Sequence, residues 1–247
     1  MIGQDKIRLF VQNLTSQERI PTEINLLLTG KAGIGKTHAI RYLYLSLSQR
    51  TDLTDCVEHY PKLVHKELLE KFTHIPIHII DEIHKVERFE ILYDFMLTHL
   101  FIVATNIPED LPEAFRSRCI NIVLENYSKG QLGEIVMEHY DFDVDTVKGL
   151  VERSRGTPRD ILQMASLINI NPNTNLEDLG YYKGGFRRED ILYLEYMKGV
   201  KSSSLGRIAA STNLDTTMIQ EFVEPFLVEL GLINITNRRY INEDYQI

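Results

Sequence analysis

The chain has 247 residues, 43% apolar and 25% charged, the balance of a folded globular protein, which excludes a disordered tail or a collagen-like repeat. Its 27 Lys and Arg against 35 Asp and Glu leave a formal charge of −8, so any nucleic-acid contact has to come from a local patch rather than the whole surface. Two cysteines, Cys56 and Cys119, give no disulfide framework or Cys-based zinc site, the N-terminus has no apolar signal core, and no apolar run approaches the ~18 residues of a membrane span; the expectation is a cytoplasmic protein.

The first block alternates strand and helix signals. Apolar runs at residues 24–29 (INLLLT), 75–80 (IPIHII), 100–104 (LFIVA) and 120–124 read as buried strands of a parallel sheet. Helical patterns at 37–48, 63–72 and 89–97 lie between them, which predicts an α/β domain with helices on the sheet faces. A seam at 125–128 leads into a second block, 131–168, that reads as helical throughout. A turn-rich stretch at 169–185 then leads to the C-terminal block.

Five elements carry chemistry. Gly30-Lys31-Ala32-Gly33-Ile34-Gly35-Lys36-Thr37 matches G-x-x-x-x-G-K-[ST] between a predicted strand and a predicted helix. Glycines let the backbone turn its N–H groups inward onto phosphate oxygens and the helix N-terminus adds positive potential; Lys36 is expected to neutralise the β/γ-phosphates of ATP, and the Thr37 hydroxyl to coordinate Mg²⁺. The second run ends in Asp81-Glu82, where Asp81 is expected to hold Mg²⁺ and Glu82 to activate the attacking water. Asn106, with Thr105 as the alternative, ends the third run and is expected at the γ-phosphate or the water. Arg116 and Arg118, in Phe-Arg-Ser-Arg-Cys at a helix-to-strand corner, are candidates for an arginine reaching a neighbouring subunit's nucleotide. Arg159, in Gly-Thr-Pro-Arg at a helix start, is expected to reach the γ-phosphate from the second block.

With these elements in this order the chain resembles an AAA+ ATPase, and more closely the RuvB family of bacterial Holliday-junction branch-migration motors. The carriers are Ile2-Gly3-Gln4, Ile80-Asp81-Glu82-Ile83-His84, Ala104-Thr105-Asn106, Arg153-Ser154-Arg155-Gly156-Thr157-Pro158-Arg159 and the run EPFLVELGLI at 224–233. The resemblance implies an ATPase domain over 1–126, a helical lid over 127–172 and a winged-helix domain over 173–247, assembled as a hexameric ring around duplex DNA. It also implies an adenine pocket at Ile2 and Tyr127, and a nucleotide surrounded by Gly30, Ala32, Gly33, Ile34, Gly35, Lys36, Thr37, His38, Pro158 and Arg159. The Ser-Arg-Cys pattern of related clamp loaders implies Arg118 as the finger, with Arg116 as the alternative. Three departures mark a shortened, divergent relative of phage or mobile-element type. Only 24 residues (82–105) lie between Asp81 and Asn106, too few to add the family's β-hairpin that docks on a RuvA partner; the loop reads Lys31-Ala32 where the family has Pro-Pro; and the chain starts at the Ile-Gly-Gln segment.

The acidic surplus lies mostly ahead of the C-terminal block, which carries 8 Lys and Arg against 9 Asp and Glu from residue 183 onward. Helical patterns at 189–197, 204–211 and 218–230, followed by β-like stretches at 233–235 and 240–241, suit a winged helix. Arg238 and Arg239 then fall in the wing, placed to grip DNA phosphates without reading sequence, and a protein-binding winged helix is the alternative. Among smaller features, His78 and His84 are read as packing residues, Tyr181-Tyr182 as a linker anchor and 141–145 as a helix-start loop. The function expected is an ATP-driven DNA motor; the alternatives are a loader that places another protein on DNA and a nucleotide-holding binding module.

Overall fold

The computed structural model describes residues 2–17, 24–48, 56–63 and 76–242. Five parallel strands form the first sheet: β1 (Asn25–Thr29), β2 (Cys56–Glu58), β3 (Ile77–Ile80), β4 (Leu100–Thr105) and β5 (Cys119–Val123), in the order β2-β3-β4-β1-β5. β1, β3 and β4 are buried at every position, as their unbroken apolar runs predict.

Strand pleating divides these runs between two cores. Leu26, Leu28, Ile77, Ile79, Leu100, Ile102 and Ala104 face one side, where the helices Asp5–Thr15 and Lys36–Ser48 supply Ile7, Val11, Ile40, Leu43 and Leu47. Leu27, Ile80, Phe101 and Val103 face the other, against Ile83, Leu92, Met96 and Phe115 from the segments 83–96 and 111–116. The result is a three-layer α/β domain, the class expected from the alternation. Between β3 and β4 lie a 3₁₀ turn, Ile83–Lys85, and a helix, Glu90–Phe95, with no strand, so the hairpin expected to be missing is missing. The helix expected over 63–72 lies outside the described residues apart from Leu63.

The chain falls into two compact units, Met1–His139 with Thr157–Arg159, and Tyr140–Gly156 with Asp160–Ile247. The block read as helical throughout is three helices, Lys129–His139, Val144–Arg153 and Pro158–Ile170; Asp143 caps the second by accepting from the Asp145 and Thr146 N–H groups.

In the second unit, helices Arg188–Val200, Leu205–Thr212 and 216–229 pack around Tyr193, Met197, Ile208, Ile219, Val223 and Leu227. A small antiparallel sheet closes the domain: β6 (Ser202–Ser203), β7 (Ile233–Ile235) and β8 (Arg239–Ile241), in the order β6-β8-β7. This is a winged helix, as the element order predicts. The third helix contains a π turn at Ile219–Val223, immediately before the helical segment that carries Pro225 in its first turn. Proline has no N–H to donate, and the widened turn absorbs the missing bond.

The stretch 169–185, read as linker, is tied down within this unit. Arg155 pairs with the fully buried Asp190, donates to the Gly185 and Phe222 carbonyls (3.1 and 3.0 Å) and lies over the Phe226 ring. Arg187 pairs with Asp160, donates to the Arg153 carbonyl at 3.1 Å and covers Tyr181, which bridges back to Arg187 as an anchor.

Candidate nucleotide site

The C-terminal ends of parallel strands are where an α/β sheet opens a crevice, and β1, β3 and β4 each deliver a chemically active segment there. After β1 the loop turns through Gly30 (φ +151°), Gly33 (φ +78°) and Gly35 (φ +100°) into the helix Lys36–Ser48. A Cβ on Gly33 would sit 3.1 Å from Arg159 Cβ and 3.2 Å from Thr157 Oγ1, so glycine is required both by the backbone and by the close approach of 157–159. The Arg159 N–H donates back to the Gly33 carbonyl at 3.4 Å.

Lys36 is buried and donates to the Gly30 and Lys31 carbonyls at 2.8 and 2.9 Å. Burial pulls its ammonium below the usual lysine range; Glu82 and Asp81 oppose that pull and Arg159 adds to it. Burial likewise lowers the pKa of His38.

After β3, Asp81 Oδ2 accepts from Thr37 Oγ1 at 2.5 Å and Asp81 Oδ1 accepts from the Glu82 N–H at 2.9 Å. Glu82 adopts a left-handed conformation (φ 54°, ψ 47°), unusual for a side-chain-bearing residue and a mark of a constrained site. A hydroxyl and a carboxylate held together are hard oxygen donors that suit Mg²⁺, which takes few protein ligands beside phosphate and water.

After β4 the two residues offered as alternatives separate. Thr105 is fully buried; it shares a 2.8 Å hydrogen bond with His84 Nδ1 and accepts from the Ile107 N–H at 3.1 Å. Asn106 is exposed and lines a cavity of about 650 Å³. That cavity is also lined by Ala32, Gly33, Gly35, Lys36, Thr37, His38, Glu82, Pro158 and Arg159, so the structure brings most of the expected nucleotide residues together. It adds Arg41, one helical turn beyond Thr37, whose spacing was the available signal.

Gly30 and Ile34 stand in the loop itself, where Ile34 is buried. Tyr127 packs its ring against Gly3 (3.0 Å from a Cβ there), and its hydroxyl lies 3.5 Å from a Cβ on Gly35. Gln4 and Glu125 exchange hydrogen bonds at 2.8 and 3.1 Å, anchoring the segment that carries the half-buried Ile2.

Arg116 and Arg118 do not line the cavity of their own chain. Both are exposed on the corner before β5, where Arg118 donates to the Ala114 carbonyl at 2.5 Å and lies over the Tyr93 ring.

Arg238 and Arg239 separate too. Arg239 is turned inward and grips the buried Glu224 with two hydrogen bonds of 2.7 and 3.2 Å, while the Tyr193 hydroxyl donates to the same carboxylate at 3.2 Å. Burial pushes the Tyr193 phenol far up, with the Glu224 charge adding, and the hydrogen bond to Glu224 raises Arg239 further. Only Arg238 stands exposed at the turn. No Lys or Arg occurs between Ile208 and Asn237, so the exposed face of the third helix is neutral to acidic.

Residues 183–242 match the RuvB C-terminal winged helix domain, and residues 26–127 match the ATPase family associated with various cellular activities (AAA). The chain is similar to proteins named Holliday junction branch migration complex subunit RuvB. The Helicobacter acinonychis protein is 26% identical over 284 residues, spanning 95% of this chain and 84% of its own. The Anaplasma phagocytophilum protein is 28% identical over 287 residues, spanning 96% and 86%. Among solved structures, the Thermotoga maritima RuvB Holliday junction branch migration motor superposes with a TM-score of 0.75 at 19% identity, covering 98% of this chain and 93% of that one. Domain III of the Thermotoga maritima replication initiator DnaA gives a TM-score of 0.53 at 14% identity over 71% of this chain and 89% of that one. No helix among the described residues is long and apolar enough to cross a membrane.

Proposed function

We propose that the chain, which matches the AAA family and the RuvB C-terminal winged helix domain, is an AAA+ ATPase of the RuvB family: a ring-forming motor that hydrolyses ATP between subunits to move duplex DNA, acting on Holliday junctions as its relatives are named to do. The observation that carries this reading is the single cavity shared by Lys36, Thr37, Glu82, Asn106 and Arg159, fed by the C-terminal ends of adjacent parallel strands. We assign 1–126 to the ATPase domain, 127–172 to the lid and 173–247 to the DNA-contacting winged helix.

In this reading Lys36 exchanges its two loop carbonyls for β- and γ-phosphate oxygens, which compensates its buried charge. Thr37 and Asp81 hold Mg²⁺, which when bound draws off charge developing on the phosphate oxygens. Glu82 orients the attacking water and takes its proton, and Asn106 fixes the γ-phosphate. Arg159 reaches the same group from its own chain, and Arg118 reaches it from the neighbouring subunit, with Arg116 beside it. Ile2 and Tyr127 pack the base. Arg238 supplies the phosphate contact on DNA; with no basic residue on the third helix, that contact is sequence-tolerant.

The test is ATP turnover with and without four-way-junction DNA. Stimulation by the junction, with strand-exchanged products, is the expected result. Hydrolysis indifferent to DNA but raised by a protein partner would return the loader reading. Glu82→Gln is expected to retain ATP while turnover falls by roughly 10²–10⁴-fold; undiminished hydrolysis would remove Glu82 from the mechanism. Arg118→Ala protein mixed with Lys36→Ala protein is expected to recover activity at mixed interfaces, and silence at every ratio with assembly intact would refute a finger in trans.

A further inference from the structure

We propose that His84 is a positioning residue for the water-activating carboxylate: it bridges Glu82 to the buried Thr105 and so links the carboxylate to the strand end that presents Asn106. The inference rests on the reading of Glu82 given above and deepens it.

Glu82 occupies a left-handed turn at the end of β3, and the 3₁₀ turn Ile83–Lys85 follows at once. Ile83, buried in the core, fixes that turn, and His84 projects from it with a side chain 13% exposed. One ring nitrogen, Nδ1, lies 2.8 Å from Thr105 Oγ1; the other, Nε2, lies 3.5 Å from Glu82 Oε2. Thr105 Oγ1 already accepts from the Ile107 N–H, so its own proton is free to go to His84 Nδ1. Nδ1 then acts as acceptor, and the ring proton sits on Nε2, facing the carboxylate. The polarity runs one way: Ile107 N–H to Thr105, Thr105 O–H to His84, His84 N–H toward Glu82.

Lys85 Nζ also lies 3.5 Å from Glu82 Oε2, but its side chain is 53% exposed, and a flexible, solvated ammonium holds a carboxylate weakly. His84 is clamped at its far nitrogen, so it fixes the direction of the carboxylate. Thr105 and Asn106 are consecutive, and Asn106 lines the phosphate cavity. A movement of that strand end on γ-phosphate contact is therefore passed through the Thr105–His84 hydrogen bond and the 3.5 Å His84–Glu82 contact to the group that aims the water.

The experiment is steady-state ATP turnover of the full chain, with nucleotide affinity measured separately by a fluorescent ATP analogue. His84→Ala is expected to lower kcat about 10- to 100-fold, the effect of a loosened catalytic group, with affinity and melting temperature unchanged. His84→Gln, which keeps a donor near Glu82, restores part of kcat; His84→Asn, which keeps only the Thr105 bond, behaves like His84→Ala. Thr105→Val lowers kcat in the same direction and adds nothing to His84→Ala. Nitrogen-15 shifts of the His84 ring report the Nε2–H tautomer in the native chain and a changed tautomer in Thr105→Val. An unchanged kcat in His84→Ala, or a loss confined to affinity, overturns the inference while the site reading stands. A native chain that hydrolyses no ATP overturns the site reading and this inference with it.

Discussion

The two adjacent arginines of the wing make opposite predictions. Glu224 is 3% exposed, and its carboxylate is satisfied by the Arg239 guanidinium and the Tyr193 hydroxyl. Arg239→Ala leaves that charge buried with a single neutral donor, which costs about 3–5 kcal/mol. For a unit of this size each kcal/mol lowers the melting temperature by about 4–8 °C, so calorimetry is expected to show a drop of roughly 12–40 °C. Replacing the whole cluster (Arg239→Leu, Glu224→Met and Tyr193→Phe) removes the charge and the orphaned hydroxyl together and restores stability to about the native value or above. Arg238→Ala, on the exposed turn, leaves melting where it was but removes one phosphate contact, so the slope of log K against log salt is expected to fall by about 0.9 in DNA anisotropy titrations. Arg239→Ala melting with the native chain, or the triple variant losing DNA affinity as Arg238→Ala does, would refute the division of roles.

Two further outcomes follow from burial. The Cys119 thiol is pushed up to about 12 by burial, so in a Cys56→Ser background it is expected to resist alkylation at pH 8 until the chain unfolds. The folded state then keeps a proton that the unfolded chain loses near pH 9, so stability is expected to fall as pH rises from there toward 12, and Cys119→Ala to flatten that fall; rapid native-state labelling would contradict this. Arg155→Ala strips the buried Asp190 of its closest cation and is expected to destabilise the second unit by about 3–5 kcal/mol, read from urea unfolding; a loss under about 1 kcal/mol would show that the Arg187 N–H, which also donates to Asp190, satisfies it.

What could be read from the sequence was local. β1, β3 and β4 are apolar along their whole length because both faces are covered, and the phosphate loop is spelled by glycines whose positive φ the structure needs. β2 was not read, because its three residues carry no apolar run and are fixed by pairing with Ile77, His78 and Ile79. The helix Asp5–Thr15 was missed although Ile7, Val11 and Leu14 recur at helical spacing, since the neighbouring apolar Leu9 and Phe10 blur the stripe. Side-chain allegiance was the least legible. Arg238 and Arg239 read alike until Glu224 is seen to hold one of them, and His84 read as packing because its partner Thr105 lies 21 residues away. Arg155 finds acceptors 30 and 67 residues away, distances over which no motif speaks.

The run Arg153 to Arg159 shows why a motif can be found correctly and still be misread as one device. Gly156 reverses the backbone at φ +83°, with open space where a Cβ would stand, so the residues on its two sides turn to different tasks. Arg153 and Arg155 are consumed within the second unit, by Glu177 and by Asp190 with its neighbouring carbonyls. Arg159 belongs with the first unit, its backbone against Gly33 and its side chain on the phosphate cavity. Pro158 starts the helix that carries Asp160, the partner of Arg187, so a residue that lines the cavity, Arg159, is followed at once by a member of the second unit's ion network. Substitutions at Arg155 are therefore expected to act through folding and those at Arg159 through turnover, because the partners of Arg155 lie in the second unit and Arg159 lines the cavity of the first.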